Sequence, residues 1–219
     1  MHFEILVEGQ AELTTLSIIM NQILGDYGQD HTWRIHKHRG IGRIPLNPAA
    51  NPNKHDPTLL HNLPSRLRAY GDEGRDDVVV VVLVDLDARL DCKAFKSDLV
   101  SLLSYCQQKP KVLFRIAIEE LEAWFFGDQK AIKLAYPAFR QQVLDDYVQD
   151  SQCGTWEKLA DAIYPGGLRA LGQHGKRSVR ILEQKRIWAK EICRYFDVQI
   201  NQSPSFKAFR DGLLKMATT

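Results

Sequence analysis

This sequence lacks the fingerprints of several common functional classes. Its four cysteines, Cys92, Cys106, Cys153 and Cys193, stand far apart and form no CxxC pair, so neither a zinc site nor a disulfide framework is indicated. Neither GxGxxG nor GxxxxGK followed by Ser or Thr occurs, which removes the dinucleotide and P-loop motifs. No apolar run approaches the roughly 18 residues that span a bilayer. Charge of one sign is also missing. The net charge of +2 argues neither for nor against a polyanionic partner, and distribution has to decide. No internal repeat, low-complexity tract or convincing Ser/His/Asp or Cys/His set stands out. Met1-His2-Phe3 leads directly into a strand pattern with no signal-like segment, so a reducing cytoplasm is the expected setting.

What the chain does have is a long β-branched run. Residues 78–84 are seven consecutive apolar residues, six of them valine, and they end in Asp85-Leu86-Asp87. Such a run reads as a strand buried on both faces of a parallel sheet. In open α/β sheets ligands bind outside the carboxyl ends of the strands. If the strand continues, Asp85 and Asp87 share one side and suit a hard divalent cation. The plain alternative is a solubilised strand end that caps the next helix.

The remaining pattern builds a sheet around that strand. Residues 3–7 read as a strand, Glu8-Gly9 as a tight turn, and residues 11–24 as a helix with Leu13, Leu16, Ile19, Ile23 and Leu24 at helical spacing. Residues 33–38 alternate like a second strand. Residues 58–70 read as a helix that Pro64 should break, residues 91–106 as another helix, and residues 112–118 as a fourth strand. This alternation predicts an α/β fold with a mostly parallel open sheet flanked by helices. Residues 1–128 form the expected core. Residues 129–219 are expected to be a mainly helical C-terminal part packed on it, with helices over 130–146, 155–163 and 177–196. Residues 40–57 hold four of the nine prolines and read as a long loop or lid. Five of the seven histidines, His31, His36, His38, His55 and His61, lie in or near it. They suit metal, proton or phosphate contacts, with plain surface exposure as the default.

Glu8, Asp85, Asp87 and Glu119 would all emerge at strand carboxyl ends along one edge. Carboxylates so placed repel one another unless they share a cation or a proton. Mg²⁺ or Mn²⁺ would resolve the repulsion and suits phosphodiester hydrolysis. A second charged feature lies in residues 166–194, where eight Lys/Arg face two acids, Glu183 and Glu191. Arg180, Lys185 and Arg186, with Lys176 and Arg177 before them, would follow a phosphate backbone if they form one face. A merely solvated face is the alternative.

These residues carry a resemblance. A first strand ending in Glu8-Gly9 and a buried strand ending in Asp85-x-Asp87 resemble the Toprim domain of topoisomerases, primases and the overcoming-lysogenization-defect nucleases. More of the chain is similar to a Toprim-related bacterial family, the domain of unknown function 4276. The shared segments are Val7-Glu8-Gly9-x-x-Glu12, Asp85-x-Asp87, Ile118-Glu119-Glu120-x-Glu122-Ala123-Trp124-Phe125-x-x-Asp128 and Ser203-Pro204-Ser205-Phe206-x-x-Phe209. The resemblance implies a Toprim-like fold and Mg²⁺- or Mn²⁺-dependent nuclease chemistry on DNA or RNA. It also implies a phage-defence or mobile-element setting with an ATPase partner. Glu8, Asp85 and Asp87 match the catalytic acids, and Glu119 and Glu122 are further candidate metal ligands. On a helix, Glu119 and Glu122 would share a face and Glu120 would point away. Trp124 and Phe125 are expected in the core. Arg89 either pairs with a carboxylate in place of a metal or grips a phosphate bidentately. The opposing reading is a non-catalytic regulatory subunit of an ATPase complex. A receiver-like phosphotransfer domain fits poorly, and a homo-oligomer is compatible with either reading.

Overall fold

The computed structural model describes residues 1–150, 154–172 and 178–218. The valine-rich run forms β3 (Val78–Asp85), in which every residue is buried. It is buried because it lies inside the sheet and has helices on both faces. The other strands are β1 (His2–Val7), β2 (Thr32–Lys37) and β4 (Val112–Ala117). All pairings are parallel and the order is β2-β1-β3-β4. The register places Ile5 beside Val81 and Val81 beside Leu113.

The period-2 alternation of the strands sorts their side chains onto two faces. Phe3, Ile5, Val7, Val79, Val81 and Leu83 meet Leu16, Ile19, Met20 and Ile23 of α1 (Gln10–Leu24). Leu6, Val80, Val82 and Val84 meet α2 (Leu59–Glu73) through Leu59, Leu63 and Leu67, and α3 (Cys92–Ser101) through Phe95 and Leu99. A 3₁₀ turn, Leu102–Tyr105, finishes the connection to β4.

Past β4 the chain is helical. It forms α4 (Glu122–Phe126), α5 (Gln129–Ala135), α6 (Gln141–Asp145), α7 (Thr155–Ile163), α8 (Gly167–Leu171), α9 (Val179–Cys193) and α10 (Pro204–Ala217). Trp188 and Ile192 of α9 and Phe206, Phe209 and Leu213 of α10 join the core on the α1 side of the sheet. No described helix is long and apolar enough to cross a membrane.

Three local expectations change. Pro64 does not break α2, which runs through it. The buried Leu59, Leu60, Leu63 and Leu67 stripe holds the helix across the one hydrogen bond that proline deletes. The expected helix over 130–146 is two helices. Tyr136, ahead of Pro137, takes an extended φ of −132° and ends α5. α10 was not anticipated, although Ser203 caps it by accepting the Phe206 N–H at 3.2 Å and Pro204 takes its first turn.

Gly71 shows how closely the layers approach. A Cβ there would lie 1.8 Å from the Gln108 carbonyl oxygen. Alanine is the better helix former by about 1 kcal/mol, but overpacking against fixed backbone costs about 1–3 kcal/mol. Gly71→Ala is therefore expected to lower the urea midpoint. A raised midpoint would show that the α2 packing yields.

Candidate active site

Strand order fixes where the site lies. β1 connects outward to β2, whereas β3 and β4 lie on its other side. The direction of winding thus reverses between β1 and β3. A crevice opens there at the carboxyl edge, the usual ligand position in such sheets. Glu8 follows β1 and Asp85 ends β3, one on each side of the crevice. They touch: Glu8 Oε1 accepts the Asp85 backbone N–H at 2.7 Å.

Glu12 completes this corner from α1. Gly9 caps the helix and Glu12 stands in its first turn, three residues on. Glu12 curls back until its Oε2 would lie 3.2 Å from a Cβ on Gly9, so a side chain at position 9 would crowd it. The capping-box spacing explains the bend, because the backbone N–H groups of the first turn attract the carboxylate.

From the other side, the turn after β4 contributes Glu120 and Glu122. Glu119 has a left-handed φ of 67°, and α4 starts only at Glu122. The i, i+3 relation expected for Glu119 and Glu122 therefore does not hold. Glu120 and Glu122 both face Lys185, whose Nζ lies 3.8 Å from Glu120 Oε2 and 3.1 Å from Glu122 Oε2. Glu119 turns the other way, its Oε2 accepting from the buried Thr155 hydroxyl.

Electrostatically this is a strained group. Burial, then the Glu12 carboxylate, push Glu8 up to about 8. Burial and the neighbouring Glu8 and Glu12 hold Asp85 well above the usual carboxylate range, and it is only 7% exposed. Burial raises Glu12 and Glu122 too, with Lys185 opposing. Glu120 is pushed up to about 7, mainly by burial, again against Lys185. Burial alone would lower Lys185, but Glu122, Glu120, Asp85 and Glu12 outweigh it and raise the ammonium well above the usual lysine range. Glu122, 1% exposed, has no hydrogen-bond partner for Oε1 among the described residues, and its Oε2 lies 3.1 Å from the Lys185 ammonium.

Asp87 is placed differently from its expectation. β3 stops at Asp85, and Asp87 has a left-handed φ of 51°, its N–H donating to the Glu119 carbonyl at 2.8 Å. Its half-exposed carboxylate pairs with Arg89 at 3.4 Å, and the Arg89 guanidinium also covers Phe95 at 4.3 Å. Arg89 is thus partnered within its own loop.

The expected basic face of α9 separates likewise. Lys185 lies inside the acidic group, Arg186 pairs with Glu183 at 3.2 Å, and exposed Arg180 reaches the Tyr164 hydroxyl at 3.4 Å. Lys176 and Arg177 lie outside the described residues. The histidines serve structural bonds: His36 with Glu4, His38 Nδ1 with the Val7 carbonyl at 3.0 Å, and His61 Nε2 with the Asn53 N–H at 2.8 Å. Among the described residues, no three His, Cys, Asp or Glu side chains stand together as a ready metal-binding set.

Composition gave Glu120 and Lys185 no place in this site. Glu12 was visible three residues beyond Gly9 but was given no role. Trp124 is fully buried between Phe206 and Phe209, with Nε1 donating to Ser205 at 3.1 Å. The Ser203 to Phe209 segment therefore anchors α4, and through it the Glu120 and Glu122 turn.

Comparison with known proteins adds the lineage. No curated protein matches the chain. Among solved structures, the C-terminal region of the Xanthomonas campestris pv. campestris OLD protein is similar at 15% identity and a TM-score of 0.45. The match covers 99% of this chain and 93% of that one. The family model described as "Domain of unknown function (DUF4276)" matches residues 7–214. Since that match spans nearly the whole chain, the protein belongs to the DUF4276 family.

Proposed function

We propose that the protein is a Mg²⁺- or Mn²⁺-dependent nuclease that hydrolyses phosphodiester bonds at the β1/β3 crevice. One observation carries this reading. Glu8, Glu12, Asp85, Glu120 and Glu122 share one corner, and the partly buried Lys185 is set against them. A carboxylate excess of this kind, at the ligand edge of a parallel sheet, is the charge arrangement a hard divalent cation neutralises. The orphan Glu122 Oε1 and the all-oxygen donor set fit such an ion. Glu8 and Asp85 would hold it, with Asp87 nearest in sequence. The ion would stabilise charge on phosphate oxygens and activate water.

The chain's own groups supply the rest. Glu8 accepts the Asp85 N–H on Oε1, which fixes its carboxylate against the end of β3 where the ion would sit. Lys185 favours the ionised forms of Glu122 and Glu120 against the burial that raises both, and offers a positive charge to an incoming phosphate. The Toprim resemblance supports nucleic acid as substrate. It also suggests a phage-defence or mobile-element role with an ATPase partner.

Purified protein is expected to nick supercoiled plasmid or cut single-stranded RNA with millimolar Mg²⁺ or Mn²⁺, and to stop in EDTA. No cleavage under any of these conditions, alone or with a candidate ATPase partner, would remove the proposal. One observation favours the second reading, a non-catalytic regulatory subunit. Lys185 already satisfies part of the acidic charge, and no ready three-ligand set is present among the described residues. Co-purification with an ATPase, with no cleavage by either, would select it.

A further inference from the structure

The loop after β2 has so far no role, and it starts at the acidic crevice. Its first residues run beside Glu8: the His38 N–H donates to Val7 at 3.0 Å and the Gly40 N–H to the Glu8 carbonyl at 2.9 Å. Its far end returns to the same edge, with Arg39 N–H bonded to Pro57 and Leu59 N–H to Gly40. In between the loop is pinned to α2. Ile41 and Ile44 pack on the α2 core, Arg68 donates to the Pro48 and Ala50 carbonyls, and the Asn53 N–H donates to His61. It is a fixed surface, not a free strand of chain.

Its charge is one-sided. Residues 31–57 contain Arg34, Lys37, Arg39, Arg43 and Lys54 against one acid, Asp56, which faces His61 at 3.6 Å. All five cations are exposed. Among the described residues none of them makes an ion pair; Lys37 bonds only the neutral Gln10 side chain at 2.5 Å, at the start of α1 beside Glu8. Cations elsewhere are more often committed: Arg75 to Asp77, Arg89 to Asp87, Arg186 to Glu183, Arg194 to Glu191 and Arg210 to Asp211. Unpaired cations at 37, 39 and 43, in the segment that runs past Glu8, make sense if a polyanion must be held where the crevice itself repels it.

We propose that Lys37, Arg39 and Arg43, extended by Lys54, form the strip that holds the phosphate backbone of a nucleic acid and leads it to the β1/β3 crevice. The strip follows a different part of the surface from α9, whose cations are partly paired or turned inward. The proposal deepens the nuclease reading and names which surface takes the substrate. Backbone contacts of this kind give salt-dependent affinity with little sequence preference.

The test measures binding in EDTA, where no cleavage confuses it. Fluorescein-labelled single-stranded and duplex DNA oligonucleotides are titrated by anisotropy at several salt concentrations. Three proteins are compared: wild type, Lys37→Gln/Arg39→Gln/Arg43→Gln, and a control with the same charge change at the opposite edge of the sheet, Arg75→Gln/Lys109→Gln/Lys111→Gln. The strip variant is expected to bind about tenfold or more weakly and to lose about 2–3 from the log–log salt slope. The control should stay near wild type, and all three should melt alike. Equal weakening by strip and control, or no DNA binding by wild type, would overturn the strip. So would wild-type binding to phosphatidylserine vesicles or polyglutamate in preference to DNA. The two levels separate cleanly. Strip-dependent binding without cleavage in Mg²⁺ removes the nuclease reading and keeps the strip; cleavage unaffected by the strip variant does the reverse.

Discussion

Lys185→Met is expected to destabilise the protein by about 3–5 kcal/mol at pH 8, the usual effect of stripping one partner from a buried ion pair. The ammonium lies 3.1 Å from Glu122 and 3.8 Å from Glu120, in a group whose other members are also acids. Without it, Glu122, almost wholly buried, loses the counter-charge 3.1 Å away. The loss should depend on pH. Carboxyls raised by burial bind more protons folded than unfolded, between the ordinary value near 4.5 and the folded values of about 7 for Glu120 and about 8 for Glu8. Across that window the metal-free protein therefore loses stability as pH rises. Removing Lys185 drives these carboxyls higher still and steepens the fall. At pH 5 they are protonated in the folded state and the variant should lose much less. Urea unfolding at pH 5 and pH 8 checks this, and Lys185→Met/Glu122→Gln should recover most of the loss. An equal loss at both pH values would mean that Lys185 acts by packing alone.

Glu8→Gln and Asp85→Asn are expected to lower cleavage by about 10²–10⁴-fold, the range for removing a proton-transfer or metal-holding group. The same substitutions should stabilise the metal-free protein at pH 8, because a neutral isostere removes mutual repulsion and keeps the shape. Activity and stability then move in opposite directions, as expected where a strained site serves function. An inactive variant that is also unstable would point to misfolding instead. Glu119→Gln makes the contrast. Its carboxylate faces Thr155, away from the crevice, so cleavage should stay within severalfold of wild type. Cleavage kinetics and thermal melting on the same samples supply both readouts.

The sheet and two acids of its candidate site, Glu8 and Asp85, were legible in the sequence for a physical reason. A strand buried on both faces leaves an unbroken apolar run, and acids at strand ends follow it directly, so the run at 78–84 and the acids Glu8 and Asp85 locate each other. What composition cannot show is backbone that departs from helix or strand. The left-handed Glu119 and Asp87 change two expected geometries: Glu119 shares no helical face with Glu122, and Asp87 lies past the end of the strand. Nor can it show pairing across long chain separations. Lys185 looked like one cation in a basic run, yet α9 docks on α1 and turns it toward the acids.

The central claim is that the Glu8–Asp85 crevice takes a divalent cation. Mn²⁺ titration followed by electron paramagnetic resonance tests it without needing a substrate. Wild type at pH 8 should remove free Mn²⁺ saturably, and Mg²⁺ should compete it off. Asp85→Asn should abolish the site, with its fold intact by circular dichroism. Wild type that leaves Mn²⁺ free, or Asp85→Asn that binds it unchanged, would contradict the account.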